Sequence, residues 1–150
     1  MIQRIQSLYL IGIVLLQALL SQFSFLHFTQ DGKEYTLDTQ GLVDSTGVYV
    51  EPDYKQLIFL SIICFFAAIS TALFKNRKIQ VKLVKVIVFM SFSQIVYIVI
   101  SAFKLNEDGA QNMSFGLAPF IIPICTILAL LASKAIKKDE NLIKSVDRIR

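Results

Sequence analysis

The sequence predicts an all-α membrane protein: a four-transmembrane-helix bundle with a small extracytoplasmic β-hairpin-like loop and a C-terminal amphipathic cytoplasmic helix. Three observations carry this. The 150 residues are 55% hydrophobic with a mean hydropathy of +0.61, too apolar for a soluble single domain. Four apolar runs, about 5–28, 56–74, 83–103 and 117–135, suit a hydrocarbon layer roughly 30 Å thick at about 1.5 Å of helix rise per residue. The formal charge of +4 sits at the ends of these runs and not over a face, which favours anionic membrane headgroups over nucleic acid as the partner.

The first run, Ile5 to Phe28, is interrupted only by Gln6, Gln17, Gln22, His27 and serines. A cleavable signal peptide is the competing reading, but the run is too long and no A-x-A-like site follows it. Residues 29–55 form the outer loop, with six acids against Lys33 and Lys55. Within it Lys33 to Asp38 and Gly47 to Glu51 alternate polar and apolar residues, as strands do, and suggest a two-stranded antiparallel ribbon. Two strands are marginal alone, so the ribbon needs the helix ends or a partner. Pro52 ends the second strand and Asp53 is placed to cap the next helix.

Residues 57–74 and 86–103 contain no Asp, Glu, Lys, Arg or His, and the stretch Phe74 to Lys85 between them holds five basic residues and no acid. That is a basic hairpin between two spans, with Lys82 and Lys85 able to snorkel to headgroups. Lys104 to Phe115 reads as a short polar turn. In the fourth span Pro119 fits the first turn, whereas Pro123 should free the carbonyl of Pro119 and kink the helix. Thr126 or a neighbouring helix would then satisfy that carbonyl.

The tail, 136–150, spaces Ile136, Leu142, Ile143, Val146 and Ile149 helically, with Glu140 and Lys144 forming a favourable i, i+4 pair. It reads as an amphipathic helix continuing the fourth span along the membrane surface; a solvated extension is the plainer alternative. Orientation follows from the cations. Arg4, the hairpin's five and six in the tail (Lys134, Lys137, Lys138, Lys144, Arg148, Arg150) face three on the other side, Lys33, Lys55 and Lys104. Both termini are therefore expected in the cytoplasm of a multi-pass protein.

Candidate chemistry is sparse. No span carries an ionisable residue at its centre, which argues against proton coupling. His27 is the single histidine, and a metal site would need partners that the sequence does not show. Gln17 and Gln94 lie eleven or twelve residues into two spans of the same direction. They suit an interhelical hydrogen bond worth roughly 0.5–2 kcal/mol, or a ligand contact. Cys64 and Cys125 share a depth, which fits either a disulfide or two small buried hydrophobes. Ala68 and Ala72, with Ala129 and Ser133, form small-xxx-small pairs that would let spans two and four approach closely. Nucleotide, zinc-protease and serine-hydrolase motifs are all missing, so no enzyme activity, cofactor or metal is expected.

Two stretches carry a family resemblance: Met1-Ile2-Gln3-Arg4-Ile5-Gln6-Ser7-Leu8-Tyr9-Leu10, and the ending from Lys134-Ala135-Ile136-Lys137-Lys138-Asp139-Glu140 through Ser145-Val146-Asp147-Arg148-Ile149-Arg150. They resemble the ends of an uncharacterised bacterial family of four-span inner-membrane proteins, the domain of unknown function DUF4293. The resemblance implies fold and a bacterial inner-membrane location, and no activity or site. The distinctive polar ends suggest contacts to a protein partner or to headgroups through Arg4, Lys137, Lys138, Asp147, Arg148 and Arg150, or a pairing of Arg4 with Asp147. The expected role is a non-enzymatic accessory or scaffold protein. The alternative is a small-molecule or lipid carrier with a pocket near Gln17, Gln94 and Pro119 to Pro123. A quinone-linked thiol oxidoreductase is disfavoured, because the paired loop cysteines of that chemistry are missing.

Overall fold

A computed structural model describes residues 3–73 and 76–147, with side chains for 5–73 and 76–142. The order is α1 (Gln3–Leu20), β1 (Leu26–Gln30), β2 (Lys33–Leu37), β3 (Gly41–Asp44), β4 (Tyr49–Pro52), α2 (Lys55–Ala72), α3 (Arg77–Glu107), β5 (Gln111–Phe115) and α4 (Ala118–Asp147). The fold is mostly helical, with one antiparallel sheet on the ends of the helices. Lys55–Ala72, Arg77–Glu107 and Ala118–Leu142 are long and apolar enough to cross a membrane, and the apolar part of α1, Ile5–Leu20, is shorter.

The helices close into a ring, α1 against α2 and α4, and α3 against α2 and α4. Two apolar clusters fill its axis. One joins Leu10, Ile13, Ile63, Ala67, Val84, Ile87, Ala129 and Ile136. The other joins Leu20, Ile98, Ala118 and Ile122 to Phe25, Leu26 and Leu37 below the sheet. The outward faces are apolar too, with Leu8, Phe65, Phe89 and Phe120, one from each helix, all more than 60% exposed. Gly12 of α1 faces α4, where a Cβ would stand 3.5 Å from Leu128 Cδ1, an ordinary contact that leaves room for an alanine.

The sheet departs most from expectation. It has five strands, in the order β4-β3-β2-β1-β5, where a two-stranded ribbon was expected. The first apolar run breaks at Leu20, where Gln22 N and Phe23 N turn back to Leu19 O and Leu20 O. Beyond that break the chain alternates: Leu26 and Phe28 are buried and His27 is exposed, the period of a strand. Asp31 and Gly32, both at positive φ (52° and 73°), make the tight turn to β2. Phe28 stacks on Tyr35 at 5.7 Å. The stretch read as a polar turn, Lys104 to Phe115, instead divides between the end of α3 and β5, which pairs with β1. One loop supplies four strands and the other the fifth, so neither relies on a two-stranded ribbon. Gly116 joins β5 to α4 where Ser24 presses on the backbone, and a Cβ there would meet Ser24 O and Oγ.

Other expectations also shift. Asp53 is not the cap of α2, which is Tyr54 without a side-chain capping bond, although Asp53 Oδ1 does accept Lys55 N at 3.0 Å. The basic hairpin is shorter than expected: α3 begins at Arg77, so Arg77, Lys78, Lys82 and Lys85 are helical, while Phe74 and Lys75 lie outside the described residues. Helix α4 runs through Pro123, and the Thr126 hydroxyl donates to Ile122 O at 3.1 Å, not to Pro119 O. The tail continues α4 without a break through Asp147, but its first turns pack against the other helices through Ile136 and Asp139, both buried, while Lys137 and Lys138 stay exposed, so this stretch belongs to the bundle. Spans two and four stand diagonally across the ring, which defeats the expected Ala68/Ala72 contact with Ala129/Ser133; Ala68 and Ala72 are exposed. Cys64 and Cys125, on the same diagonal, are both free thiols.

Candidate functional site

The site with the most chemistry lies where the sheet meets the helix ends. Asp53 follows β4 and precedes α2 by two residues, so the chain must turn there from strand to helix. Its carboxylate takes three donors: Lys55 N at 3.0 Å, Lys55 Nζ at 2.9 Å and the Tyr97 hydroxyl from α3. Lys55 Nζ also lies 5.5 Å from the centre of the Tyr97 ring, a cation–π distance. Partial burial pushes the Asp53 carboxyl up, but the bonds from Tyr97 and Lys55 outweigh it and hold the pKa below the ordinary aspartate value.

This network forms one wall of a cleft of about 210 Å³. Leu37, Leu42, Ile100 and Leu105 supply its apolar lining, and Glu51, Lys104, Asp108 and Ser101 its remaining polar groups. Tyr97, Ser101, Lys104 and Asp108 follow one another at i, i+4, i+7 and i+11, so the end of α3 presents a single polar stripe to the sheet. Gln30 Nε2 donates to Asp108 O at 3.0 Å and fixes that end. The one ion pair among the described residues is Lys55–Asp53, which leaves Glu51, Lys104 and Asp108 free of ionic partners there.

A smaller constellation decorates the sheet. His27 Nε2 lies 2.7 Å from Ser24 Oγ and its Nδ1 lies 3.2 Å from Thr36 Oγ1. The serine–imidazole contact resembles a nucleophile–base pair, but its third member is a neutral hydroxyl and its imidazole is exposed. The bonds tie the α1–β1 connection to β2.

Inside the ring, polar side chains form two tiers. Gln17, Ser91 and Gln94 lie between the two apolar clusters, and all are fully buried. Gln6, Ser70, Gln80 and Asp139 are also buried, each one helical turn beyond Leu10, Ala67, Val84 and Ile136, at the end away from the sheet. Gln80 Nε2 donates to Ser70 O at 2.9 Å. Among the described residues, both amide atoms of Gln6, Gln17, Gln94 and of Gln56 near the start of α2, and both Asp139 oxygens, have no hydrogen-bond partner. A buried polar atom left without any partner costs several kcal/mol on a hydrocarbon reference.

Gln17 and Gln94 are both fully buried within the ring. They sit on the diagonal pair α1 and α3, and no hydrogen bond joins them. Lys137 and Lys138 are exposed on α4 and, with Lys134, Asn141 and Leu142, border an open groove of about 450 Å³. The side chains of Arg4 and Asp147, and all of Arg148 and Arg150, lie outside the described residues, as does the Arg4–Asp147 pairing. Sequence reading missed Tyr97, Lys104, Asp108 and Asp139. The polar stripe on α3 was the available signal for the first three, and for Asp139 the signal was its i+3 spacing from Ile136.

Searches of curated proteins and of solved structures returned no match. A family model described as a domain of unknown function, DUF4293, matches residues 2–149. With nearly its whole length covered, from the first helix through the far end of α4, the chain belongs to the DUF4293 family.

Proposed function

We propose that this protein is a non-enzymatic accessory or scaffold protein of the bacterial inner membrane, crossing it as a four-helix bundle with both termini in the cytoplasm. One observation carries the reading: the apolar outward faces of all four helices separate a basic end from a sheet-bearing end. Arg77, Lys78, Lys82, Lys85, Lys134, Lys137 and Lys138 gather at the first, and the acidic strands and loops form the second. A soluble fold would bury such faces, whereas a bilayer covers them. The cation bias supports an orientation with the basic end inside, where Lys137 and Lys138 would meet anionic headgroups. α1 is the fourth span, short enough to need local thinning of the bilayer or polar flanks at the surface. The sheet, held outside by both loops, is the face offered to a protein partner.

Cysteine labelling tests the topology, in a background with Cys64 and Cys125 replaced by alanine. Thr46→Cys should react with an impermeant maleimide from the outside of intact cells, and Lys78→Cys only after the membrane is opened. Reaction of Lys78→Cys in intact cells would refute the orientation. Crosslinking in native membranes, followed by mass spectrometry, tests the scaffold role by recovery of a constant protein partner. A second reading, a small-molecule or lipid carrier, is supported by the buried amides of Gln17 and Gln94, which have no hydrogen-bond partner among the described residues and lie between the two apolar clusters. Its mark would be a metabolite that co-purifies with the wild type and is lost with Gln94→Leu.

A further inference from the structure

We infer that the cleft between the sheet and the end of α3 binds the phosphoethanolamine headgroup of a membrane lipid. This rests on the membrane topology proposed above, because it needs the cleft to stand at headgroup level. In that topology it does: Lys55 begins α2 and Lys104 lies in the last turn of α3, at the sheet-side ends of two helices long and apolar enough to cross a membrane. Ile100, which lines the cleft, and Phe103 beside it are exposed at 47% and 67%, so the apolar side of the cleft is continuous with the lipid-facing surface.

Volume and charge narrow the ligand. A cleft of about 210 Å³ holds several waters and so has room for a small polar headgroup, of which phosphoethanolamine, with about eight non-hydrogen atoms, is one. Asp53 and Lys55 neutralise one another and are held by Tyr97. The charges left to meet a ligand are Lys104 on one hand and Glu51 and Asp108 on the other. Phosphate beside Lys104 and a primary ammonium shared by the two carboxylates satisfies all three. A headgroup bearing only negative charge would confront Glu51 and Asp108. Choline offers no N–H donor and is recognised through aromatic faces, and the cleft's single aromatic ring, Tyr97, already lies under Lys55.

The test uses the full-length protein in lipid nanodiscs and native mass spectrometry. The probes are short-chain phosphatidylethanolamine, phosphatidylglycerol and phosphatidylcholine, and soluble glycerophosphoethanolamine. Phosphatidylethanolamine should bind about tenfold or more tightly than the other three. Lys104→Gln, and Glu51→Gln combined with Asp108→Asn, should each remove about tenfold of that affinity. Lys104→Arg, which keeps the charge, and Glu34→Gln, on an exposed strand position away from the cleft, should retain it. Equal binding of phosphatidylglycerol, or unchanged affinity in the two charge-removing variants, would overturn the inference. Equal affinity for glycerophosphoethanolamine would overturn the assignment to a lipid. Alkaline carbonate washing separates the two levels: release of the chain from membranes refutes the topology itself, whereas retention without headgroup selection refutes only this inference.

Discussion

Asp53 gathers a backbone N–H, an ammonium and a phenol onto one carboxylate, and thereby joins β4, α2 and α3. Tyr97→Phe should cost about 1 kcal/mol, the usual worth of a partly exposed hydrogen bond, read as a lower thermal midpoint in detergent. The acid side gives a second reading. Because the folded Asp53 pKa is lowered, its stabilisation is complete above the unfolded aspartate pKa of about 3.9 and fades as pH falls through the folded value. Asp53→Asn should therefore flatten the fall in thermal midpoint below about pH 4; an unaltered acid profile would assign that fall to other carboxylates. The interior amides predict the opposite sign. Gln94→Leu removes two buried atoms without protein partners and should be neutral or stabilising by up to about 1 kcal/mol, whereas Ile13→Ala, in the fully packed cluster, should cost about 2–5 kcal/mol. At this scale the sequence revealed only part of the site. Gln17 and Gln94 stood out because amides are rare in apolar runs. The stripe Tyr97, Ser101, Lys104 and Asp108 was equally regular, but treating its second half as a turn cut it in two.

At the scale of elements, the helices were legible and the sheet was not, for a physical reason. Apolar helices declare themselves through runs far longer than a strand, and α2, α3 and α4 begin within a few residues of the expected spans except where charged turns extend them. Phe25-Leu26-His27-Phe28 is apolar enough to be absorbed into α1, and only its alternation and the Asp31-Gly32 turn mark a strand. β5 is harder still: Gln111 to Phe115 has little hydrophobic pattern, and its pairing with β1 joins residues far apart in the chain. Gly116→Ala should destabilise by about 1–3 kcal/mol, since the added methyl runs into Ser24 backbone and not a yielding side chain. Gly12→Ala, in a helix with ordinary room, should instead stabilise by up to about 1 kcal/mol. Thermal midpoints of the two variants, measured in one detergent, give the contrast directly.

At the scale of the molecule, the ring of helices and the shared sheet bind the first half of the chain to the second twice over. α1 packs on α4, α2 on α3, and β1 pairs with β5. Two separately expressed pieces, 1–73 and 76–150, should therefore reassemble in one membrane and co-purify on a tag carried by either. Recovery of the tagged piece alone would show that the covalent link through residues 74 and 75 is indispensable.

The strands from both loops also act as a clasp. Since they fasten all four helices at one rim, any splaying of those helices has to start from the opposite rim, where Gln6, Ser70, Gln80 and Asp139 line the axis. Water entering there would meet amides, a hydroxyl and a carboxylate before it met the hydrocarbon side chains of the Leu10 and Ile63 cluster.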